Sequence, residues 1–576
     1  MRKVNRWRLP LTLVLIPSLL TPVQVWADGT KAAPGHTIEK KEEKATMKGL
    51  HSGHELKTPP SSWDRPLPSS PILHPGTPRS AGMDRGPLKA IDPFIEESIQ
   101  NKMMPGAVVF IARRGAIVKH QAYGYSARYQ DDEFTPMDKP VPMKKDTIFD
   151  LASISKIFTS TAAMKLYEQG KFQLDDPVAK YIPEFAQNGK EKVTIRQLMT
   201  HTSGFTSWIP LYTMGSNRED RLQTVLTYPL KYHPGTTYEY SDLNMITLGV
   251  LVERLSGKRL DAFVKENITD PLGMKDTMYN PPAYLKKRIA ATEYQPWTNR
   301  GMVWGQVHDE NAASLDGVAG HAGVFSTAHD LGIFAHMMLM KGKYGATRIL
   351  KPETVELMER NQNQAFPGDD HGLGWELNQG WYMDALASPN AMGHTGYTGT
   401  SIVINRDQAS ITITLTNRVH PTRNTVSTNP VRRQVARLTA DAIPVAIPGH
   451  GPAWFSGYGD HLDRSLTALL PMQTENLTLT FDTWYRVEAE VDYGVVEGSA
   501  DGVNWSAISP RLTGNSNKWS RQTFTLPSEM RYLRFRYHTD ATVNGRGWYI
   551  KDPTVKTENG ETLPLSWSGE GWEKRR

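Results

Sequence analysis

Apolar and polar residues alternate at helical intervals in some stretches of this chain and at strand intervals in others, so its texture changes along its length. Ile157, Phe158, Ala162, Met164, Leu166 and Tyr167 recur at helical spacing and predict a helix that stops near Gly170. Met245, Leu248, Val252 and Leu255 predict a second, strongly amphipathic helix, and Asp92-Pro93 reads as the N-cap and first residue of a third that runs to about Met104. Ala107 to Ala112 and Ile117 to Tyr123 read as a hairpin around Arg113-Arg114-Gly115, and Thr400 to Asn405 pairs with Ile411 to Asn417. A hairpin early and strands late, around a helical middle, predict an α/β (α+β) fold: an antiparallel sheet flanked by helices, with a helical subdomain.

After Val445 the pattern shifts to short alternating runs, Leu477 to Phe481, Tyr485 to Tyr493 and Tyr532 to Tyr537, broken by turns such as Asp501-Gly502. Residues 446–576 hold seven of the fifteen tryptophans and predict a separate C-terminal β-sandwich, with most of those rings in its core. Between Asp28 and about Pro87, mixed charge gives way to repeated prolines, a composition that buries little surface and predicts a flexible spacer. The expected organisation is a signal segment at 1–27, a Pro-rich linker at 28–88, a main domain at 89–445 and an accessory sandwich at 446–576.

At 576 residues the chain is too long for one ordinary domain, and 39% apolar content suffices for substantial cores. A net charge of +6 is modest for this size, and basic residues do not cluster with aromatics, which argues against nucleic-acid binding. Arg2, Lys3, Arg6 and Arg8, the apolar stretch Leu9 to Val23 and Val25-Trp26-Ala27 read as a secretory signal cleaved after Ala27, with no stable membrane insertion afterwards. The absence of cysteine excludes disulfides and thiol catalysis and suits an exported protein stabilised by packing. The expected location is outside the cell, free or wall-associated, or periplasmic where an outer membrane exists.

The candidate chemistry lies in Ser153-Ile154-Ser155-Lys156, where an apolar stretch turns into a helix. Residues three apart share a helix face within about 5–6 Å, so Lys156 reaches the Ser153 hydroxyl, while free backbone N–H groups of the first turn suit an oxyanion. Burial of that face favours neutral, proton-accepting lysine. A chain of this length meets S-x-x-K about once by chance. Two further elements follow, Tyr240-Ser241-Asp242 before a helix and His394-Thr395-Gly396 opening a strand, at spacings of about 85 and 155 residues.

With these triplets, and with Leu198-Met199-Thr200-His201-Thr202-Ser203-Gly204 and Gly317-Val318-Ala319-Gly320-His321-Ala322-Gly323-Val324-Phe325-Ser326-Thr327, residues 89–445 resemble the class C β-lactamase and penicillin-recognising serine hydrolases. That group includes D-alanyl-D-alanine carboxypeptidases, D-amino-acid peptidases and esterases. The resemblance implies Ser153 as nucleophile, Lys156 as its proton acceptor and Tyr240 as a relay to the leaving group. It also implies an oxyanion hole from the N–H groups of Ser153 and Tyr397, a wall of His394 and Thr395 that receives a substrate carboxylate, and Gly396 as a bare strand residue beside the acyl chain. Around 446–576, Ala453-Trp454-Phe455-Ser456-Gly457, Thr483-Trp484-Tyr485, Asp492-Tyr493-Gly494 and Trp548-Tyr549-Ile550-Lys551-Asp552 resemble the C-terminal sandwich of immune inhibitor A-type secreted metallopeptidases, without their zinc motif.

Two departures stand out. His394 replaces the β-lactamases' lysine, so a neutral ring that attracts a carboxylate less, but can still donate a hydrogen bond to it, stands where an ammonium would; within the resembled family this is closer to the carboxypeptidases. Asp242 stands where many relatives have Asn; it cannot donate to a substrate carbonyl, and near Lys156 it stabilises the ammonium, leaving more of the proton transfer to Tyr240 and the missing donor to Asn244. His308-Asp309-Glu310 and His321 show no metal-ligand spacing, so no metal or other cofactor is expected, and these residues are read as a loop bordering the cleft. The expected activity is a Ser-Lys-Tyr acyl-enzyme hydrolase acting on small peptides or esters, with peptidoglycan as a candidate partner and D-Ala-D-Ala carboxypeptidase as the first specific assignment. A carboxylesterase or β-lactamase on the same scaffold, and a wall-peptide or glycan binder without turnover, are the alternatives.

Overall fold

A computed structural model describes residues 69–472 and 475–576; the signal segment assigned to 1–27 and the linker up to residue 68 lie outside the described residues. The main sheet runs in the order His74–Pro75, Ala116–Tyr129, Gly106–Arg113, Ser410–Thr416, Ser401–Asn405, Ala391–Thr395 and Glu376–Leu377, with Pro136–Pro142 added beside Ala116–Tyr129. It is antiparallel except for its first pair. Gly106–Arg113 is buried at every position because helices cover both faces. Ala107, Val109 and Ile111 pack with Ile91 and Ile95 of helix Arg85–Gln100 and with Val431 and Val435 of helix Asn429–Asp441. Val108, Phe110 and Ala112 face the opposite core, with Phe158 of helix Ser155–Glu168 and Phe334 of helix Ala328–Leu339. The expected hairpin is present, turned by Arg114 and Gly115, both at positive φ, as a two-residue turn requires.

The structure departs from the sequence expectations in three places. The first long helix spans Arg85–Gln100, so Asp92-Pro93 lies inside it. The Asp92 carboxylate accepts hydrogen bonds from the Lys119 amine at 2.6 Å and from the Tyr123 hydroxyl, which ties the helix to the sheet instead of capping it. The described part of the expected spacer, residues 69–88, is built onto the fold. His74–Pro75 pairs with Ala116–Ile117, Leu73, Ala81 and Met83 are buried, and the Arg113 guanidinium donates to the carbonyls of Ala81 and Gly82, both at 2.9 Å.

The third departure concerns the C-terminal strands, which form a five-stranded and a four-stranded sheet with Leu466, Phe481, Phe535 and Trp548 in their common core. These sheets are not separately packed. Trp484, Trp519, Phe455 and Tyr549 share one apolar cluster with Ile91, Ile95, Val431 and Val435, and the Trp519 indole donates to the Ala446 carbonyl at 2.6 Å. Four of the seven C-terminal tryptophans, Trp484, Trp519, Trp548 and Trp572, are buried, so apolar packing accounts for them. Among the described residues no helix is long and apolar enough to cross a membrane.

Candidate active site

The short strand Phe149–Asp150 leads through a 3-10 turn, Ala152–Ile154, into helix Ser155–Glu168. Ala152 holds φ at 48°, a left-handed conformation costly for a residue with a Cβ, directly before Ser153. The buried Asp150 carboxylate secures this turn by accepting the N–H of Ala152 at 2.8 Å and that of His308 at 2.6 Å. Lys156, fully buried one turn on, directs its three N–H donors to three acceptors: Ser153 Oγ at 2.9 Å, an Asp242 carboxylate oxygen at 2.9 Å and the His321 carbonyl at 3.2 Å.

That coordination determines the resting charge. Burial pulls the Lys156 pKa down, but Asp242 and then Tyr240 outweigh it and hold the amine above its ordinary value. The neutral lysine expected from burial alone is therefore overturned, while the expected effect of Asp242 is realised. Tyr240 places its ring 4.8 Å from the Lys156 amine. Its phenol is pushed up to about 12 by burial, with Lys156 lowering it and Asp242 and Glu376 raising it further, so it rests protonated.

Asp242 is the first residue of helix Asp242–Ser256, where the helix N-terminus favours a carboxylate. His201 packs 4.6 Å from the Tyr240 ring, and its Nδ1 accepts the Ser241 N–H at 3.1 Å. Burial keeps His201 neutral, so it positions Tyr240 as a fixed tautomer. Asn244 is not available to a substrate: its side chain is fully buried, its carbonyl oxygen accepts from the Ser203 hydroxyl at 2.5 Å and its amide faces His201 Nδ1 at 3.1 Å. It belongs to the support of Tyr240, because residue 244 lies on the helix face turned into the core.

The segment from Gly317 passes between the two helices. Gly320 lies so close to the Met245 carbonyl that a Cβ would collide with it, and its own carbonyl accepts from Thr159 at 2.8 Å. This approach delivers the His321 carbonyl to Lys156. The His321 ring meets Asp309 at 2.8 Å. Asp242, Asp309 and His321 offer ligand atoms within 4.8 Å of one another, but the Lys156 ammonium already occupies Asp242 and would repel a metal ion there.

His394 and Thr395 end strand Ala391–Thr395 beside the nucleophile turn. His394 does not act as the expected donor. Its Nδ1–H is spent on the Thr395 carbonyl at 2.8 Å, which leaves a lone pair on Nε2, and burial followed by the Lys156 charge pushes its pKa down to about 3. Gly396 is required by packing: a Cβ would strike Thr400 Oγ1 and the Leu151 carbonyl and crowd Ala152. Thr398 and Thr400 reinforce this seam, donating to the carbonyls of Asp150 at 2.8 Å and Leu151 at 3.1 Å. The half-buried Tyr397 is thereby held next to the Ser153 turn. Gly396→Ala is expected to displace the Tyr397 N–H, which the resemblance implies as an oxyanion donor, and to lower kcat about 100-fold. Steady-state kinetics beside a melting curve check this, since a purely structural role would lower Tm and leave kcat unchanged.

The sequence assigns no catalytic role to Asp150, His201, His321 or Glu376. Burial pushes Glu376 up to about 7, and its charge acts on Tyr240. His201 and His321 lie within the motifs above and Asp150 opens the run that leads to Ser153, which are usable signals; Glu376 carries none.

A sequence-family model described as Beta-lactamase matches residues 91–437. An "N-acetylmuramyl-L-alanine amidase" of Bacillus subtilis (strain 168) is 35% identical over 364 residues, 58% of this chain and 81% of that protein. A "Putative D-alanyl-D-alanine carboxypeptidase" of Escherichia coli (strain K12) is 34% identical over 382 residues, 61% of this chain and 86% of that protein. Among solved structures, a novel penicillin-binding protein homolog from Caulobacter crescentus superposes with a TM-score of 0.48 at 18% identity, covering 62% of this chain and 99% of that one. The family model spans more than half of the chain, and within that span lie all the segments that meet around Ser153: the chain belongs to the Beta-lactamase family of hydrolases.

Proposed function

We propose that this hydrolase is exported and works through an acyl-enzyme on Ser153, with cell-wall peptides ending in D-Ala-D-Ala as its substrates. The observation that carries the reading is the single amine of Lys156 bonded at once to Ser153 and Asp242, residues from distant parts of the chain. Because Lys156 rests charged, the competent form is the fraction whose amine has given up a proton, and that amine then accepts the Ser153 proton. Ser153 Oγ then bonds to the carbonyl carbon of the penultimate D-Ala, and the N–H groups of Ser153 and Tyr397 hold the oxyanion. Tyr240 gives its proton to the departing amine and regains one from Lys156, and water releases the acyl group by the reverse route. The names of the amidase and carboxypeptidase relatives support a wall-derived substrate. The C-terminal sheets serve as an accessory module packed onto the hydrolase helices.

A second reading, an esterase on the same apparatus, is favoured by His394: with a lone pair on Nε2 it repels a substrate carboxylate instead of receiving it. The test compares D-Ala release from an N-acylated D-Ala-D-Ala peptide with turnover of a short-chain nitrophenyl ester and of a chromogenic cephalosporin. A kcat/KM for the peptide at least ten-fold above the other two is expected. Ester turnover without D-Ala release would overturn the carboxypeptidase assignment and leave the acyl-enzyme chemistry standing.

A further inference from the structure

Far from Ser153 in sequence, two loops of the C-terminal sheets bring three carboxylates together. Glu488 and Asp492 lie between strands Leu477–Arg486 and Tyr493–Ser499, and Asp540 lies between strands Tyr532–His538 and Gly547–Lys556. Each offers an oxygen within 4.8 Å of the others. Asp492 is fully buried: its Oδ1 accepts the Asp540 N–H at 3.0 Å, while its Oδ2 is enclosed with no hydrogen-bond partner, as is Oε2 of Glu488. A buried carboxylate oxygen with no donor is costly, and here the surrounding charges add to the cost, since Asp540 and Asp492 act on Glu488, and Asp540 and Asp460 act on Asp492.

We propose that Glu488, Asp492 and Asp540 form a calcium site that clamps the two C-terminal sheets together at one end. The donor set is entirely hard carboxylate oxygen, and calcium–oxygen distances of about 2.3–2.6 Å place opposite ligands about 5 Å apart, which the observed spacing fits. The clamp reaches the hydrolase unit through the Asp540 loop. Val543 of that loop packs on Gly380, and Asn544 donates to Asp460, which pairs at 2.7 Å with Arg433 of helix Asn429–Asp441.

The full purified chain, stripped with EDTA, is titrated with CaCl2 by calorimetry and melted with and without CaCl2. One site with a midpoint on the order of 0.1–1 mM is expected. At ten-fold excess over that midpoint, a rise in Tm of roughly 1–2 °C is expected. Asp492→Asn should abolish both responses, and Glu488→Gln should weaken binding at least ten-fold, which carries the test should the Asp492 variant fail to fold. Asp309→Asn, in the other acidic cluster, should keep the response. Absence of heat and of a Tm shift in the wild type, a wild-type response in Asp492→Asn or Glu488→Gln, or loss of the response in Asp309→Asn would overturn the site.

Discussion

Ser153→Ala is expected to lower turnover of every substrate by about 10⁴-fold or more and to abolish covalent labelling by a fluorescent penicillin. The hydroxyl is the bonding atom of the proposed acyl-enzyme, so no neighbour replaces it; Lys156 is buried and bound to Asp242 and the His321 carbonyl. The substitution removes one hydrogen bond and one oxygen, so the fold should persist with a Tm near that of the wild type. The label separates catalysis from binding. A variant that still forms a stable adduct would assign the nucleophile elsewhere, and a wild type that binds the penicillin reversibly without an adduct would favour a binding protein.

Asp242→Asn is expected to shift the acidic limb of kcat/KM to lower pH by about 1–3 units. The sign follows from the charge. Asp242 raises the Lys156 pKa by stabilising the ammonium, and catalysis requires the amine to part with a proton, so wild-type activity is expected to rise toward alkaline pH. Replacing the carboxylate with a neutral amide lets burial lower that pKa, and the competent form then appears at lower pH. Because Asp242 also holds the amine in place at 2.9 Å, the plateau kcat should fall while the limb moves. A pH–rate profile measured from pH 5 to 10 on a substrate stable over that range reads both changes. An unmoved limb with an unchanged plateau would reduce Asp242 to a helix-start residue.

The Ser153–Lys156 contact was legible in the sequence because it is local: a spacing of three places both side chains on one face of the first turn. The central strands were legible for a similar reason, since Gly106–Arg113 is apolar on both faces and its turn carries Gly115. Tyr240 and His394 could be picked out through the resemblance, but their states could not. The His394 tautomer depends on the Thr395 carbonyl, and the direction of Asn244 depends on Ser203 and His201, some forty residues away. Pro-rich texture misled at residues 69–88, because proline at a sheet edge leaves no ladder donor unsatisfied and the segment docks through Leu73, Ala81 and Met83.

What the sequence alone determined is which elements form and which nucleophile–amine pair they present, since both follow from periodicity and short spacing. Only the tertiary structure decided the charge on Lys156, the donor lost at His394, the packing need at Gly396 and the core that joins the C-terminal sheets to the hydrolase helices. Those properties arise where residues hundreds of positions apart exclude water together, and protonation and hydrogen-bonding roles are set by that shared burial.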